Sequence, residues 1–186
     1  MQRGILFDLD GTLVESFTRK PLPGVANILQ ELQSRDGLHI GVATNQAGPL
    51  WEAITGQAKY PTIHKLAQNL LSIAQQLQLT HTLWLISLWD PRIMTIGNTL
   101  EEVNEGALAI QQELQQALQG SLAHAVSFIE PEYRKPRPGM LLRAAAEWKI
   151  APANLQYAGD MDTDEEAALN AGARFVHASA LTTLLT

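Results

Sequence analysis

The sequence near the N-terminus contains Gly4-Ile5-Leu6-Phe7-Asp8-Leu9-Asp10-Gly11-Thr12, an apolar run that stops at two carboxylates and a glycine. The apolar run predicts a buried β-strand, and the polar cluster with its turn-forming glycine predicts that this strand ends at Asp8. In open parallel α/β sheets, ligands bind just beyond the carboxyl ends of the strands. This segment therefore predicts a first strand with a functional edge beside it.

Strand and helix patterns alternate along the rest of the chain. Further apolar runs predict strands at 40–43, 83–88, 125–129, 155–158 and 174–177. Apolar residues at helical spacing predict helices at about 24–36, 63–79, 99–118, 141–148 and 163–170. This alternation is typical of an α/β fold, a three-layer sandwich with a central parallel sheet. A chain of 186 residues is long enough for a single domain over 1–186.

Composition excludes several classes of protein. Hydrophobic residues make up 46% and charged residues 17%, which is ordinary for a globular chain. The net charge of −6 disfavours nucleic acid and anionic membranes as partners. No apolar run approaches the ~20 residues that span a bilayer, and no signal peptide is recognisable, so we expect a cytoplasmic protein. The absence of cysteine excludes disulfides and thiolate zinc sites.

Polar side chains stand after, or in a loop beyond, four of the predicted elements. They are Asp8 and Asp10, Thr44 and Asn45, Lys135, and Asp160 and Asp164. One such cluster can arise by chance, but four in this order need a common explanation. Phosphoryl transfer is such an explanation, because a dianionic phosphate ester needs a nucleophile, screening cations and hydrogen-bond donors together.

The two carboxylates of Asp8-Leu9-Asp10 can divide the chemistry of a phosphatase. Residues two apart in an extended segment point the same way, so both can face one substrate. We expect Asp8 to attack phosphorus and form an aspartyl phosphate. Asp10 then protonates the leaving alcohol and later takes a proton from the hydrolytic water. Gly11 permits a sharp exit from the strand.

The remaining residues predict a magnesium site and a phosphate site. Mg2+ prefers hard oxygen ligands, which Asp8, Asp160 and the main-chain carbonyl of Asp10 can supply. Asp164 lies one helical turn after Asp160 and can bind the metal directly or through a water. For the phosphate, we expect contacts from Thr44, Asn45 and Lys135, with Lys135 also neutralising Asp8. Each of these residues has an ordinary alternative role, such as a helix cap for Thr44 or a helix N-terminal carboxylate for Asp160.

The same segments resemble the four motifs of the haloacid dehalogenase (HAD) superfamily. The resemblance rests on Asp8-Leu9-Asp10-Gly11-Thr12, Thr44-Asn45-Gln46, Lys135-Pro136 and Gly159-Asp160 through Asp164, and it extends over about 3–178. The sequence of residues 134–140 is similar to the corresponding motif of the third subclass. That subclass includes histidinol-phosphate, heptose bisphosphate and polynucleotide 3′-phosphatases. The resemblance implies a Rossmann-like core, Mg2+ and a small or absent cap. Several relatives carry a Cys/His zinc loop, which a chain without cysteine cannot form.

Residues 89–131 occupy the interval of that zinc loop. They contain six carboxylates against Arg92 alone, a net charge of −5. We expect this acidic insertion to act as a small lid. The Glu-rich helix within it can instead pack against a second subunit.

Three functions compete. The first is a phosphatase that acts on a small phosphorylated metabolite, and Asp10 supports it because HAD dehalogenases lack this second carboxylate. The second is a polynucleotide 3′-phosphatase, indicated by Tyr133-Arg134-Lys135-Pro136 but disfavoured by the acidic insertion. The third is a binding protein that keeps the fold without turnover. The identity of the metabolite and the oligomeric state are left open.

Overall fold

The computed structural model describes residues 2–16, 18–96, 100–122 and 124–186. Its centre is a six-stranded sheet in the order β4-β3-β2-β1-β5-β6, in which every neighbouring pair is parallel. The strands are β1 (Arg3–Phe7), β2 (Leu38–Asn45), β3 (Leu83–Ser87), β4 (His124–Phe128), β5 (Leu155–Gly159) and β6 (Arg174–His177). The parallel sheet confirms the predicted α/β, Rossmann-like fold.

Within the described residues, six α-helices connect the strands. They are α1 (Val25–Gln33), α2 (Gly48–Thr55), α3 (Ile63–Gln76), α4 (Leu100–Leu118), α5 (Gly139–Glu147) and α6 (Asp162–Ala171). A 3-10 helix, Ala178–Leu185, follows β6 and is kinked at Ala180. Helix α2 has no counterpart in the sequence prediction, because eight residues are too few to show helical periodicity. Among the described residues, no helix is long and apolar enough to cross a membrane.

Alternate side chains of β1 enter two separate cores. Ile5 and Phe7 join the apolar cluster that also contains buried residues of α1, α3 and α4. Leu6 points the other way and joins the cluster formed with α5 and α6. A parallel strand covered on both faces has to be apolar throughout, which explains the uninterrupted run of the sequence.

Residues 89–131 are part of the fold, and the predicted lid is wrong for their described part. Helix α4 packs against α3, and β4 extends the sheet beside β3. The reason is an apolar stripe at helical spacing, which is buried in the core and comprises Val103, Ala107, Ile110, Leu114 and Leu118. The Glu and Gln residues of this helix obscured that stripe; Glu105 and Glu113 lie on its exposed face. Thr99, the predicted start of the helix, lies outside the described residues.

Candidate active site

Strand register brings the first and last acidic motifs together. Strand β1 lies between β2 and β5, and the backbone N–H of Asp8 donates to the carbonyl of Ala158, 2.8 Å away. Asp160 follows the end of β5, directly beside Asp8. Gly11 has a φ of +82°, and a Cβ added there would collide with the carboxylate of Asp160. Glycine is therefore required for the turn to pass so close to Asp160.

Three carboxylates converge at this edge of the sheet. Asp8, Asp160 and Asp164 each offer an oxygen, and these oxygens lie within 4.8 Å of one another. Asp8 and Asp164 are buried, whereas Asp160 is half-buried. An all-carboxylate donor set of this size suits a hard divalent cation such as Mg2+. The residues present therefore fit the predicted metal.

Lys135 is the cation that contacts this cluster. Its Nζ donates to Asp8 Oδ1 at 2.5 Å, to Asp164 Oδ1 at 2.7 Å and to the hydroxyl of Tyr157 at 2.7 Å. All three ammonium protons are thereby used. Since three carboxylates face one ammonium, the ionised cluster keeps an excess of negative charge. That excess is what a divalent cation would neutralise.

Burial and mutual repulsion shift the titration of these groups. Burial raises the pKa of Asp8 to about 6, against the opposing effect of Lys135. Burial, followed by the charge of Asp164, also raises the pKa of Asp160. Burial opposes the charged form of Lys135, but the two carboxylates beside it win and raise its pKa. Lys135 is therefore a permanent ammonium at neutral pH.

Asp164 has both of its oxygens engaged within the protein. Its Oδ1 accepts from Lys135 and from the Tyr157 hydroxyl at 3.1 Å, and its Oδ2 accepts from the backbone N–H of Met161 at 3.1 Å. The side chain is almost completely buried. Of the two metal contacts predicted for Asp164, this geometry favours the one through a water.

Tyr157 is a member of the site that the sequence did not reveal. Its hydroxyl accepts from Lys135 and lies 3.0 Å from the carbonyl oxygen of Ala43 and 3.1 Å from Asp164. Burial and the neighbouring carboxylates raise its pKa well above the usual value, so it stays a neutral phenol. A tyrosine within a buried apolar strand is a signal that its hydroxyl has a partner, but the sequence does not name that partner.

Thr44 and Asp10 share one hydrogen-bond donor. Gln46 Nε2 donates to Asp10 Oδ2 at 2.7 Å and to Thr44 Oγ1 at 3.0 Å. The other oxygen of Asp10 is ion-paired with Arg19. Because Thr44 accepts from Gln46, its own hydroxyl proton remains available for a phosphoryl oxygen. Gln46 belongs to a quoted motif without an assigned role, and nothing in the sequence pointed to Arg19.

The side chain of Asn45 makes contacts other than the predicted phosphate contact. Its side-chain Oδ1 accepts from the backbone N–H of Lys135, and its Nδ2 donates to the Lys135 carbonyl, both at 3.2 Å. Both polar atoms of the side chain are therefore occupied by the main chain. This reciprocal pair positions Lys135, and the predicted phosphate contact through the Asn45 side chain does not fit it.

A buried carboxylate outside this cluster, Asp90, lies beyond the carboxyl end of β3. It is 1% exposed and accepts from Trp51 Nε1 at 3.2 Å, from Arg92 Nε at 3.0 Å and from Arg134 Nη2 at 3.4 Å. Arg134 also donates to the carbonyl of Trp89 at 2.6 Å. These bonds tie α2 and the segment after β3 to the residue that precedes Lys135. The sequence interpretation counted Asp90 only as part of an acidic insertion.

We expect Asp90→Asn to lower the free energy of unfolding at pH 7 by about 2 kcal/mol. Burial alone would raise the pKa of Asp90, but hydrogen bonds from Arg92 and Trp51 and the charge of Arg134 hold it at about 2, against 3.8 for a free side chain. A depressed pKa stabilises the fold above pH 4, and this contribution is lost as the pH falls towards 2. Urea unfolding of both proteins between pH 7 and pH 2.5 measures the difference.

The control for that experiment is Glu147→Gln, which removes an exposed ion pair with Arg143 on α5. Exposed pairs of this kind contribute about 0.5 kcal/mol or less. A difference between wild type and Asp90→Asn that stays constant from pH 7 to pH 2.5 would show that the carboxylate charge is not responsible.

A comparison with known protein families matches one segment of the chain. Residues 132–178 match the family model described as HAD-hydrolase-like. This segment contains Lys135, Asp160 and Asp164 but stops short of Asp8. No curated protein sequence matches the chain.

Several solved phosphatase structures resemble the chain over most of its length. A protein from Mesorhizobium loti assigned as a HAD-like phosphatase is 16% identical, with a TM-score of 0.54 over 99% of this chain and 84% of that one. The 4-nitrophenylphosphatase from Thermotoga maritima is 12% identical, with a TM-score of 0.50 over 95% and 85%. D,D-heptose 1,7-bisphosphate phosphatase from B. bronchiseptica, complexed with magnesium and phosphate, is 21% identical, with a TM-score of 0.48 over 94% and 79%. At these identities, the first two likenesses show a shared fold.

Proposed function

We propose that this protein is a Mg2+-dependent phosphatase that hydrolyses a phosphate monoester of a small metabolite through a phosphoaspartyl intermediate on Asp8. The observation that carries the proposal is the buried pair of Asp8 and Lys135 beside two further carboxylates. Three carboxylates around a single ammonium, two of them buried, destabilise a fold unless they have a function. Strongly perturbed titratable groups at the carboxyl edge of an α/β sheet are typical of a catalytic site.

Catalysis begins with attack by Asp8. A carboxylate oxygen of Asp8 bonds to phosphorus while the bond from phosphorus to the leaving oxygen breaks. Asp10 gives its proton to that oxygen, and the alcohol departs. The Thr44 hydroxyl donates to a phosphoryl oxygen, and Lys135 stabilises the negative charge beside Asp8.

The second step regenerates the enzyme. Asp10, now a carboxylate, takes a proton from a water that attacks phosphorus, and the bond from phosphorus to Asp8 breaks. Inorganic phosphate leaves, and Asp8 is again a carboxylate. Asp8, Asp160 and the carbonyl of Asp10 would hold Mg2+, with Asp164 behind them. When bound, the ion supplies screening of the repulsion between nucleophile and phosphate.

Two side chains hold Asp10 in the structure. Arg19 and Gln46 occupy its two oxygens. To act as an acid, Asp10 has to be released from Arg19, which belongs to the loop between β1 and α1. We therefore propose that this loop shifts as the substrate enters the site.

A polynucleotide 3′-phosphatase is the second candidate within the same chemistry. Its support is the basic sequence around Lys135. Arg134, however, is held by Asp90 and by the carbonyl of Trp89. An arginine engaged in this way is not free to follow a nucleic-acid backbone. The net charge of −6 also disfavours a cationic groove. A small phosphorylated metabolite in the cytoplasm is therefore the proposed substrate.

We expect phosphate release from at least one compound in a panel of sugar, nucleotide, amino-acid and 4-nitrophenyl phosphates, together with a 3′-phosphorylated oligonucleotide. Activity should appear with Mg2+ and fall at least a hundredfold with EDTA, because the carboxylates then repel the phosphate. Free phosphate is the measured product. Preference for the oligonucleotide would favour the second candidate, and turnover that EDTA does not change would contradict the metal requirement.

A further inference from the structure

A polar cavity lies at the opposite edge of the sheet from the candidate active site. It has a volume of about 340 Å³. Its lining residues lie at or near the starts of β1, β2, β5 and β6, and the 3-10 helix after β6 forms one wall. A strand of five residues is roughly 17 Å long. The cavity is thus separated from Asp8 by the length of β1.

Strand register directs two arginines into this cavity from the sheet. Gln156 of β5 is the register partner of both Ile5 and Arg174, so these three side chains share one face. Arg3 lies two residues before Ile5 and therefore points to the same face. Ile5 belongs to the core shared with α1, and the cavity is therefore on the side of the sheet that α1 covers.

A third arginine closes the cavity from the helical layer. Arg35, just beyond the end of α1, donates to the carbonyl of Leu184 at 3.0 Å and also to that of Leu185. It additionally pairs with Glu31 at 3.1 Å. Arg35 thereby holds the 3-10 helix against α1 and fixes the wall of the cavity.

Only one of the three arginines of the cavity, Arg35, has an ion-pair partner among the described residues. The lining of the cavity contains three arginines, together with neutral polar side chains such as Asn154, Gln156 and Thr183, and no aspartate or glutamate among the residues that the structure describes. Arg3 and Arg174 make no ion pair with any residue in the described ranges. The whole chain has 19 acidic against 13 basic residues, so this concentration runs against its composition.

We propose that this cavity binds a small polyanion that carries at least two phosphate or carboxylate groups. Guanidinium groups bind such oxyanions in a bidentate manner, and the amides and hydroxyls nearby can donate to the remaining oxygens. Arg3 and Arg174 supply one charge each, and the anchored Arg35 adds a third. The volume suits a small metabolite rather than a polymer. The site is independent of the proposed hydrolysis, because none of its residues belongs to the candidate active site.

The test is isothermal titration of the metal-free protein with inorganic pyrophosphate. The metal is stripped with EDTA, and the EDTA is removed by desalting before the titration because it is itself a polycarboxylate. Without metal, metal-dependent binding at the candidate active site is suppressed. We expect wild type to bind and the double variant Arg3→Gln/Arg174→Gln to bind at least about tenfold more weakly, since each substitution removes a charge-assisted contact. Each single variant should be intermediate. In wild type, the side-chain amide NMR signals of Asn154 and Gln156 should shift with pyrophosphate.

Two controls assign the binding to this cavity. Arg143→Gln removes one positive charge from an exposed ion pair on α5, on the other side of the sheet, and should bind pyrophosphate like wild type. Lys135→Met disables the candidate active site and should also retain binding. The proposal is overturned if wild type does not bind, if the folded double variant binds equally well, or if Lys135→Met loses binding while its circular dichroism spectrum shows that it is folded.

Discussion

Asp8→Asn is expected to lower the rate of phosphate release by at least about a thousandfold. Asparagine keeps the shape of aspartate and can still accept a hydrogen bond from Lys135. Its amide is neutral and cannot form the aspartyl phosphate, so the covalent route is lost while the fold is kept. The measurement is kcat on the best substrate of the panel, with Mg2+ present. Acid-quenched wild type should also carry covalent phosphate that the variant lacks.

Asp36→Asn is the matched control, because it makes the same chemical change at an exposed carboxylate beyond α1. It should leave both the rate and the trapped phosphate unchanged. An Asp8→Asn variant that retains activity within tenfold of wild type would show that Asp8 is not the nucleophile. If it lost activity while the wild type carried no trapped phosphate, direct attack by water would replace the covalent mechanism.

The sequence predicted the fold and the composition of the carboxylate cluster because both depend on local patterns. An apolar run that stops at a carboxylate marks the end of a strand, as at Phe7-Asp8 and at Gly159-Asp160. Parallel strands then bring these ends to one edge without further information. Asp8, Asp160 and Asp164 therefore meet as predicted. Their assigned roles in catalysis stay predictions.

The residues that the sequence did not reveal are the partners that hold this cluster. Gln46 bridges Asp10 and Thr44, and Tyr157 contacts Lys135 from the middle of a strand. Such pairings depend on the relative register of strands far apart in sequence, which no local pattern encodes. They also depend on side-chain direction, as with Arg19, which reaches back across its loop to Asp10.

The wrong prediction of a lid has a different cause. The acidic composition of residues 89–131 predicts a solvated lid, but charge on one face of a helix says nothing about the opposite face. Val103, Ala107 and Ile110 recur at intervals of three and four residues and belong to the core. A charged residue on the solvent side of such a helix costs little free energy, whereas packing against the core requires an apolar stripe. The periodicity should therefore take precedence over the net charge of a segment.

Lys135→Met is expected to abolish phosphate release and also to destabilise the metal-free protein by about 3–5 kcal/mol at pH 7. Lys135 is 5% exposed and donates to both Asp8 and Asp164. Methionine fills a similar volume but leaves the carboxylates to repel each other without a counter-charge. Urea unfolding in EDTA measures the loss of stability. Lys65→Met, on the exposed face of α3, is the matched control and should change neither property.

The pH dependence of this destabilisation distinguishes lost charge from lost packing. Burial raises the folded-state pKa of Asp8 to about 6, against 3.8 when free, so the metal-free fold loses stability as the pH rises from about 4 to 6. The positive charge of Lys135 counteracts this rise in the pKa of Asp8. Without Lys135 the pKa rises further, and the protein continues to lose stability above pH 6. The loss of stability in the variant, relative to wild type, should therefore be larger at pH 7 than at pH 5 by about 1 kcal/mol. Mg2+ should restore much of its stability at pH 7 but not its activity, because the ion neutralises the carboxylates and cannot replace the ammonium beside Asp8. Equal destabilisation at both pH values would assign the effect to packing alone.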